Sequence, residues 1–281
     1  MWQVVKEKIA ATADRHVLYE LSVQNTEIEY DFVSGVFQRL RGRKATTMRE
    51  DFCGTAGMCC EWVKHGAKNQ AIGVDLDSEV LAWASEHNLA KLKPAQRQRV
   101  NLLQGNVLSA RPQLVDLILA MNFSYQIFKD RKTLKRYFKN VHHGLNDQGV
   151  FILDAFGGYE AFRELKEKTV HEGFTYVWDQ ASYNPINGDI VCHIHFEFPD
   201  KSKIAKAFTY EWRLWTLPEL QELLAEAGFQ NITVYWQGTD EETGEGNGIF
   251  EPATVGDADP GWISFISAQK WKVKFVKGKE E

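Results

Sequence analysis

The most constraining feature is a rhythm. Between Ala45 and Phe156, five short apolar runs alternate with amphipathic, helix-like segments. The runs are Thr46–Asp51, Ala71–Asp75, Val100–Gln104, Leu114–Met121 and Gly149–Phe156. The intervening segments have helix punctuation: Gly66 is placed to end one, Asp77 or Ser78 to cap the next, and Asp130 to cap the third. Val80, Trp83, Ala84 and His87 share one helical face, as do Leu134, Tyr137, Phe138, Val141 and Leu145. Near-continuous apolar strands separated by helices imply a parallel sheet buried on both faces.

The flanks differ. Residues 1–44 read as helical, with Val4, Val5, Lys8 and Ile9, then Phe32, Val36, Phe37 and Leu40, at helical spacing. Residues 171–213 alternate aromatics with period two around Asn187-Gly188 and Pro199-Asp200, which predicts antiparallel strands. A capping box at Thr216 and Glu219 opens a last helix carrying Leu220, Leu223 and Leu224, ended by Gly228. Ile232–Trp236 and Trp262–Ser267 read as closing strands around a Gly-rich loop, residues 243–248.

Composition limits the partners. Lys+Arg is 33 against Asp+Glu 38, a net charge of −5, which disfavours phosphate-driven nucleic-acid binding. No apolar run approaches the roughly 18 residues of a membrane span. Charges interrupt any signal-like core at the N-terminus. The four cysteines, Cys53, Cys59, Cys60 and Cys192, form no C-x-x-C pair and read as free thiols in a reducing compartment. A cytoplasmic location and no metal are expected. The expected partner is a small-molecule substrate, with no nucleic acid and no membrane; a homodimer is compatible with the reading.

Three features fall at the ends of successive expected strands: the turn Glu50-Asp51-Phe52-Cys53-Gly54-Thr55-Ala56-Gly57, then Asp75, then Gly105-Asn106-Val107. Small residues in the first turn let backbone approach a ligand. An acid after the second strand can hold a ribose diol, and a polar side chain after the third can bond an adenine edge. Ligands in open α/β sheets bind in this crevice. The trio points to an adenosine-containing ligand without choosing a nicotinamide dinucleotide or S-adenosylmethionine.

The order REDFCGTAG, AIGVDLD, QGNVLS, VDLILAMNFSYQIF, GVFILDAFGG resembles the class I S-adenosylmethionine-dependent methyltransferases over roughly residues 45–237. It looks closest to small-molecule members such as glycine and amino-sugar N-methyltransferases. The resemblance implies an α/β, Rossmann-like doubly wound, mainly parallel seven-stranded sheet, with an antiparallel β insertion between strand five and the last helix. It implies a helical lid at 1–44 and a methyltransferase domain at 45–281, with 157–213 as the substrate-side insertion. The family's first motif is an acid followed by G-x-G-x-G. Here Glu50 takes the acidic position, with Asp51 the other candidate; Phe52 and Ala56 replace the first and third glycines, and Gly54 keeps the second.

The implied cofactor is S-adenosyl-L-methionine. Glu50 and Gly54 would hold its amino-acid end, Asp75 the ribose and Leu76 the adenine face. Asn106 and Val107 would take the adenine edge, Asn122 and Phe123 would surround the methylthio group, and Tyr19 and Gln24 would close the lid. Tyr125, Asp154 and His195 are the candidates for catalysis, with His193 and Glu211 as further bases. The implied reaction is in-line methyl transfer to a small acceptor, most simply nitrogen, with oxygen or carbon as alternatives. Orientation alone can supply ~7–11 kcal/mol of such a barrier. An NAD(P)-dependent oxidoreductase and a non-catalytic S-adenosylmethionine-binding protein are the competing readings. The first would want a fuller G-x-G-x-x-G turn.

Overall fold

The computed structural model describes residues 7–240, 242 and 246–271. Val4 and Val5 of the expected helical segment, and residues 243–245 of the Gly-rich loop, lie outside the described residues.

Three helices open the chain: α1 (Ile9–Thr12), α2 (Arg15–Val23) and α3 (Thr26–Arg41). The single helical reading of this segment is broken twice by caps. The Asp14 carboxylate accepts the His16 and Val17 N–H groups, and the Asn25 side chain accepts that of Ile28. Such residues satisfy the orphan donors of a helix start, so each begins a new helix. Gly42, at φ +65°, ends α3 in the left-handed conformation that glycine adopts most readily.

The expected alternation follows: β1 (Thr47–Asp51), α4 (Gly57–Lys64), β2 (Gln70–Asp75), α5 (Ser78–His87), the short α6 (Pro94–Arg97), β3 (Val100–Gln104), β4 (Val115–Ala120), α7 (Arg131–Gly144) and β5 (Leu145–Gly157). An antiparallel unit of β6 (Leu165–His171), β7 (Phe174–Asn184), β8 (Asp189–Glu197) and β9 (Lys203–Arg213) comes next. Then α8 (Leu217–Glu226), β10 (Gln230–Thr239), β11 (Gly246–Ala253) and β12 (Trp262–Gln269) complete the chain.

The large sheet has the order β11-β10-β12-β5-β4-β1-β2-β3. β1 to β5 pair in parallel, and β12 runs antiparallel to β5. This is the expected seven-stranded frame with one more edge strand, β11, paired antiparallel to β10. The order reverses between β1 and β4, so the crevice opens at their C-terminal ends.

Each face of the sheet has its own core. On one side Met48, Leu117, Leu119, Val150 and Ile152 pack against Val33, Val36 and Phe37 of α3 and the apolar face of α4. On the other, Ile118, Phe151 and Leu153 pack against Tyr137, Phe138 and Val141 of α7 and the leucines of α8. Strand side chains alternate between faces. Glu50 and Asp154 therefore lie on the α3 side, and Arg49 and Asp51 on the α7 side. Among the described residues, no helix is long and apolar enough to cross a membrane.

Candidate functional site

The first turn keeps the backbone path that a glycine motif would give. Phe52 (φ 60°), Gly54 (φ 50°) and Ala56 (φ 57°) are all left-handed. Phe52 and Ala56 thus occupy positions where an L side chain is strained. The Phe52 ring packs near Phe128 and Tyr137, at 5.9 and 5.6 Å between centroids, and Ala56 is fully buried. Packing offsets the strain.

The two adjacent acids of β1 divide by face. Asp51 is used structurally: it pairs with the buried Arg49 at 2.8 Å and accepts the Tyr137 hydroxyl at 3.0 Å. Glu50 points to the crevice side, where the Cys59 thiol donates to it at 3.2 Å. Burial pushes the Glu50 carboxyl up to about 8, and the nearby Glu29 and Asp75 carboxylates push the same way. Asp75, at the end of β2, accepts the Gly54 N–H at 2.8 Å and the Asp77 N–H at 3.0 Å on different oxygens. A carboxylate has about four acceptor positions, so both oxygens can still take a diol.

Asp154 lies in β5. Its two oxygens accept the N–H groups of Asn122 (2.7 Å) and Phe123 (2.9 Å). Both residues have φ 57°, so the loop after β4 forms a small concave nest around this carboxylate. Burial raises the Asp154 carboxyl to about 7 against those donors, with the Glu29 carboxylate adding to the rise.

Leu76 is 67% exposed beside Asp75. Asn106 is exposed at the end of β3, and its side-chain oxygen accepts the Leu108 N–H at 2.9 Å. Val107 is buried in the core, with its carbonyl accepting from Asn140 at 2.7 Å, so its side chain is not presented to the crevice. Gln24 lies over the start of α4, where a Cβ on Gly57 would meet its Oε1 at 3.0 Å.

The inserted sheet turns an aromatic face toward the crevice. Tyr19 packs on Phe208 at 5.0 Å, and its hydroxyl pairs with that of Tyr210. Phe123 packs on Phe156 at 4.8 Å and faces Trp212 at 6.4 Å. The N-terminal helices are tied down at both ends of the opening. Trp83 Nε1 donates to Asp14 at 2.6 Å, and Asn88 donates to Glu20 at 2.6 Å and to the Thr55 carbonyl at 2.9 Å. Lys8 and Ile9 bond the Asp200 turn of the insertion.

Two catalytic candidates are placed elsewhere. Tyr125 is fully buried, and its hydroxyl donates to the Asp154 carbonyl at 2.9 Å. Burial pushes its phenol well up, which suits a structural donor rather than a base. His195 lies on the opposite face of β8 from Ile194 and Phe196. One ring nitrogen is 3.1 Å from Asp179 and the other accepts the Lys206 N–H at 3.0 Å. His193, on the same outer face, pairs with Thr209. Period two alone could not say which face of the insertion looks inward.

Glu29 was not legible as a site residue. It lies on α3, half-buried, and its carboxylate acts electrostatically on Tyr19, Glu50 and Asp154. The available signal was its spacing from Val33 and Val36, which places it on the buried stripe of the helix. The four cysteines are free and buried.

The turn fits an adenosyl ligand by its open space. A Cβ at Gly54 would meet nothing within 4 Å, and the adjacent Thr55 Oγ1 is buried without a hydrogen-bond partner among the described residues. No Lys or Arg pairs with Glu29, Glu50 or Asp154 among the described residues.

No protein-family model matches the chain, and no curated protein matches it by sequence. Solved structures match by fold. An S-adenosylmethionine-dependent methyltransferase from Clostridium acetobutylicum superposes with TM-score 0.67 at 16% identity, covering 92% of this chain and 97% of that one. An amino pentose methyltransferase from Micromonospora echinaspora, solved with S-adenosylmethionine bound, gives 0.65 at 14%, covering 91% and 95%. A sugar N-methyltransferase from Streptoalloteichus gives 0.62 at 17%, covering 97% and 98%. The chain therefore has the fold of these methyltransferases, with the inserted sheet included in the coverage.

Proposed function

We propose that the protein is an S-adenosylmethionine-dependent methyltransferase acting on a small molecule, with nitrogen the favoured acceptor atom. The observation that carries this is the arrangement at the ends of β1 and β2: an open left-handed turn at Gly54, bonded to Asp75 and flanked by Glu50. S-adenosylmethionine, when bound, supplies a methyl group on a sulfonium, a leaving group that needs no further activation.

The chain's own work is placement. Asp75 would hold the ribose, and Glu50 the cationic amino group. Asn106 would bond the adenine edge through its amide, and Leu76 would cover the ring. Asp154 fixes the loop at Asn122 and Phe123, which would shape the wall beside the transferred methyl. The N-terminal helices and the aromatic face of β7, β8 and β9 would act as lid and acceptor wall, excluding water from the reacting atoms. Aromatic faces and acids together favour a cationic or amine-bearing acceptor. Asp154 is the acid best placed to receive a proton from it.

The test is transfer of isotope-labelled methyl from S-adenosylmethionine to panels of small amines, phenols and carboxylic acids. Labelled amine products support the reading. Labelled phenols alone would move the acceptor to oxygen. Tight cofactor binding without turnover on any panel would favour a non-catalytic binding protein.

A further inference from the structure

Glu50 does not stand alone under the first turn. Met48 and Glu50 share one face of β1, and Met48 packs in the same core as Met58, Cys59 and Trp62 of α4. Cys59 is the third residue of α4, and this docking sets its thiol 3.2 Å from Glu50 Oε2. Cys59 is fully buried and Glu50 is 6% exposed, so little water competes for the bond.

Chemistry gives the bond its direction. Burial, with the Glu50 carboxyl beside it, pushes the Cys59 thiol well up, so the thiol keeps its proton and donates it to the carboxyl oxygen. The other groups around Glu50 give its charge no support. Glu29 of α3 and Asp75 of β2 are acids, and the Cys53 and Cys60 thiols are themselves raised by burial and by the same carboxyl. No Lys or Arg pairs with Glu50 among the described residues. The Cys59 thiol is therefore the side chain that favours the charged carboxylate over the neutral acid.

We propose that Cys59 is a positioning residue: its thiol holds Glu50 Oε2 and leaves the other carboxylate oxygen to the ammonium group at the amino-acid end of the cofactor. This rests on the methyltransferase reading, in which Glu50 takes that group. An ammonium ion is held by the ionised carboxylate and only weakly by the neutral acid. Loss of the thiol donor therefore weakens the contact where the free carboxyl is protonated. Where the carboxyl is already ionised, free and bound forms lose the same bond and the affinity stays. A thiol is a weak donor, so the effect is about one pH unit, or tenfold in affinity.

The experiment is calorimetric binding at pH 6.5 and pH 9 to the full-length wild type, Cys59→Ala and Cys59→Ser. The probes are S-adenosylhomocysteine, which carries the ammonium group, and 5′-methylthioadenosine, which lacks it. Cys59→Ala is expected to bind S-adenosylhomocysteine about tenfold more weakly than wild type at pH 6.5 and within about twofold at pH 9. Serine keeps a donor and should follow wild type, and 5′-methylthioadenosine should bind all three proteins alike. Cys59→Val, which fills the space without a donor, replaces the alanine variant if that does not fold. Equal weakening at both pH values, a loss in the serine variant as large as in the alanine one, or no change overturns the proposal. The ligand-free thermal midpoint is read as well. Its fall with rising pH, ending near pH 8 in wild type, should extend about one unit higher in Cys59→Ala. Wild type that binds neither probe overturns the methyltransferase reading, and the midpoint profile then decides whether the thiol acts on Glu50.

Discussion

The Asp154 carboxylate holds Phe123 by its backbone N–H at 2.9 Å, joining β5 to the loop after β4. The same carboxylate takes the Asn122 N–H on its other oxygen at 2.7 Å. Asp154→Asn leaves one acceptor oxygen for two left-handed donors. An unsatisfied buried donor costs about 1–3 kcal/mol, so urea denaturation should show a loss in that range. A stability equal to wild type would mean that the nest does not depend on this carboxylate.

Asp75→Ala is expected to weaken S-adenosylmethionine binding by about ten- to a hundredfold, the loss of hydrogen bonds to a charged group worth roughly 1.5–3 kcal/mol. The protein should still fold, because Asp75 is only half-buried and the donors it loses lie in a turn open to solvent near Gly54. Calorimetry on the variant, with circular dichroism to confirm folding, reads both. Unchanged affinity would remove the ribose from Asp75.

Ala56 tests whether the backbone of the turn, rather than its side chains, is what matters. Ala56→Gly relieves a left-handed strain of ~1–2 kcal/mol and gives up a buried methyl worth a similar amount, so stability should change by less than about 1 kcal/mol. Ala56→Val places a β-branched residue at φ 57° in a filled core and should cost more than ~2 kcal/mol. Chemical denaturation of the pair checks this; equal losses would show that the left-handed path does not set the cost.

Glu50 and Asp154 give the ligand-free protein a pH dependence with a definite sign. Both folded-state values are raised, to about 8 and about 7, chiefly by burial. Above the unfolded carboxyl values, near 4, the unfolded chain has released protons that the folded chain still holds. Stability therefore falls as pH rises from about 5 toward 8. The groups facing Glu50 are Cys59, Glu29 and Asp75, and those facing Asp154 are the two N–H groups and Glu29. Glu50→Gln should flatten the upper part of the slope, and a cationic ligand should reverse it by favouring the ionised acids. Thermal midpoints at pH 6 and pH 8 measure both effects. A midpoint that rises from pH 6 to pH 8 in the free wild type would contradict the burial of these carboxyls.

Much of the frame could be read from the chain because parallel strands buried on both faces leave continuous apolar runs. β4 (Val115–Ala120), buried at every position, lies inside the run Leu114–Met121. The capping box at Thr216 and Glu219 opens α8. Other features needed the third dimension. β11 has an exposed, mixed pattern carrying no core signal. His195 and Tyr176 both alternate in the insertion, but only packing shows that the aromatic set faces inward. Glu29 falls on the buried stripe of α3 by its spacing from Val33 and Val36, but spacing alone does not say what that stripe packs against. Phe52 and Ala56 departed from the glycine pattern, yet both adopt the left-handed path.

The most direct test is the thermal midpoint of the full-length protein with S-adenosylmethionine, S-adenosylhomocysteine, NADH or no ligand. Ligand at ~100 times its dissociation constant adds about 2.7 kcal/mol, enough to raise the midpoint by several degrees. A rise with the two adenosyl sulfur compounds and none with NADH is the expected result. A rise with NADH alone, or with none of the three, would contradict the cofactor assignment built on Glu50, Gly54 and Asp75.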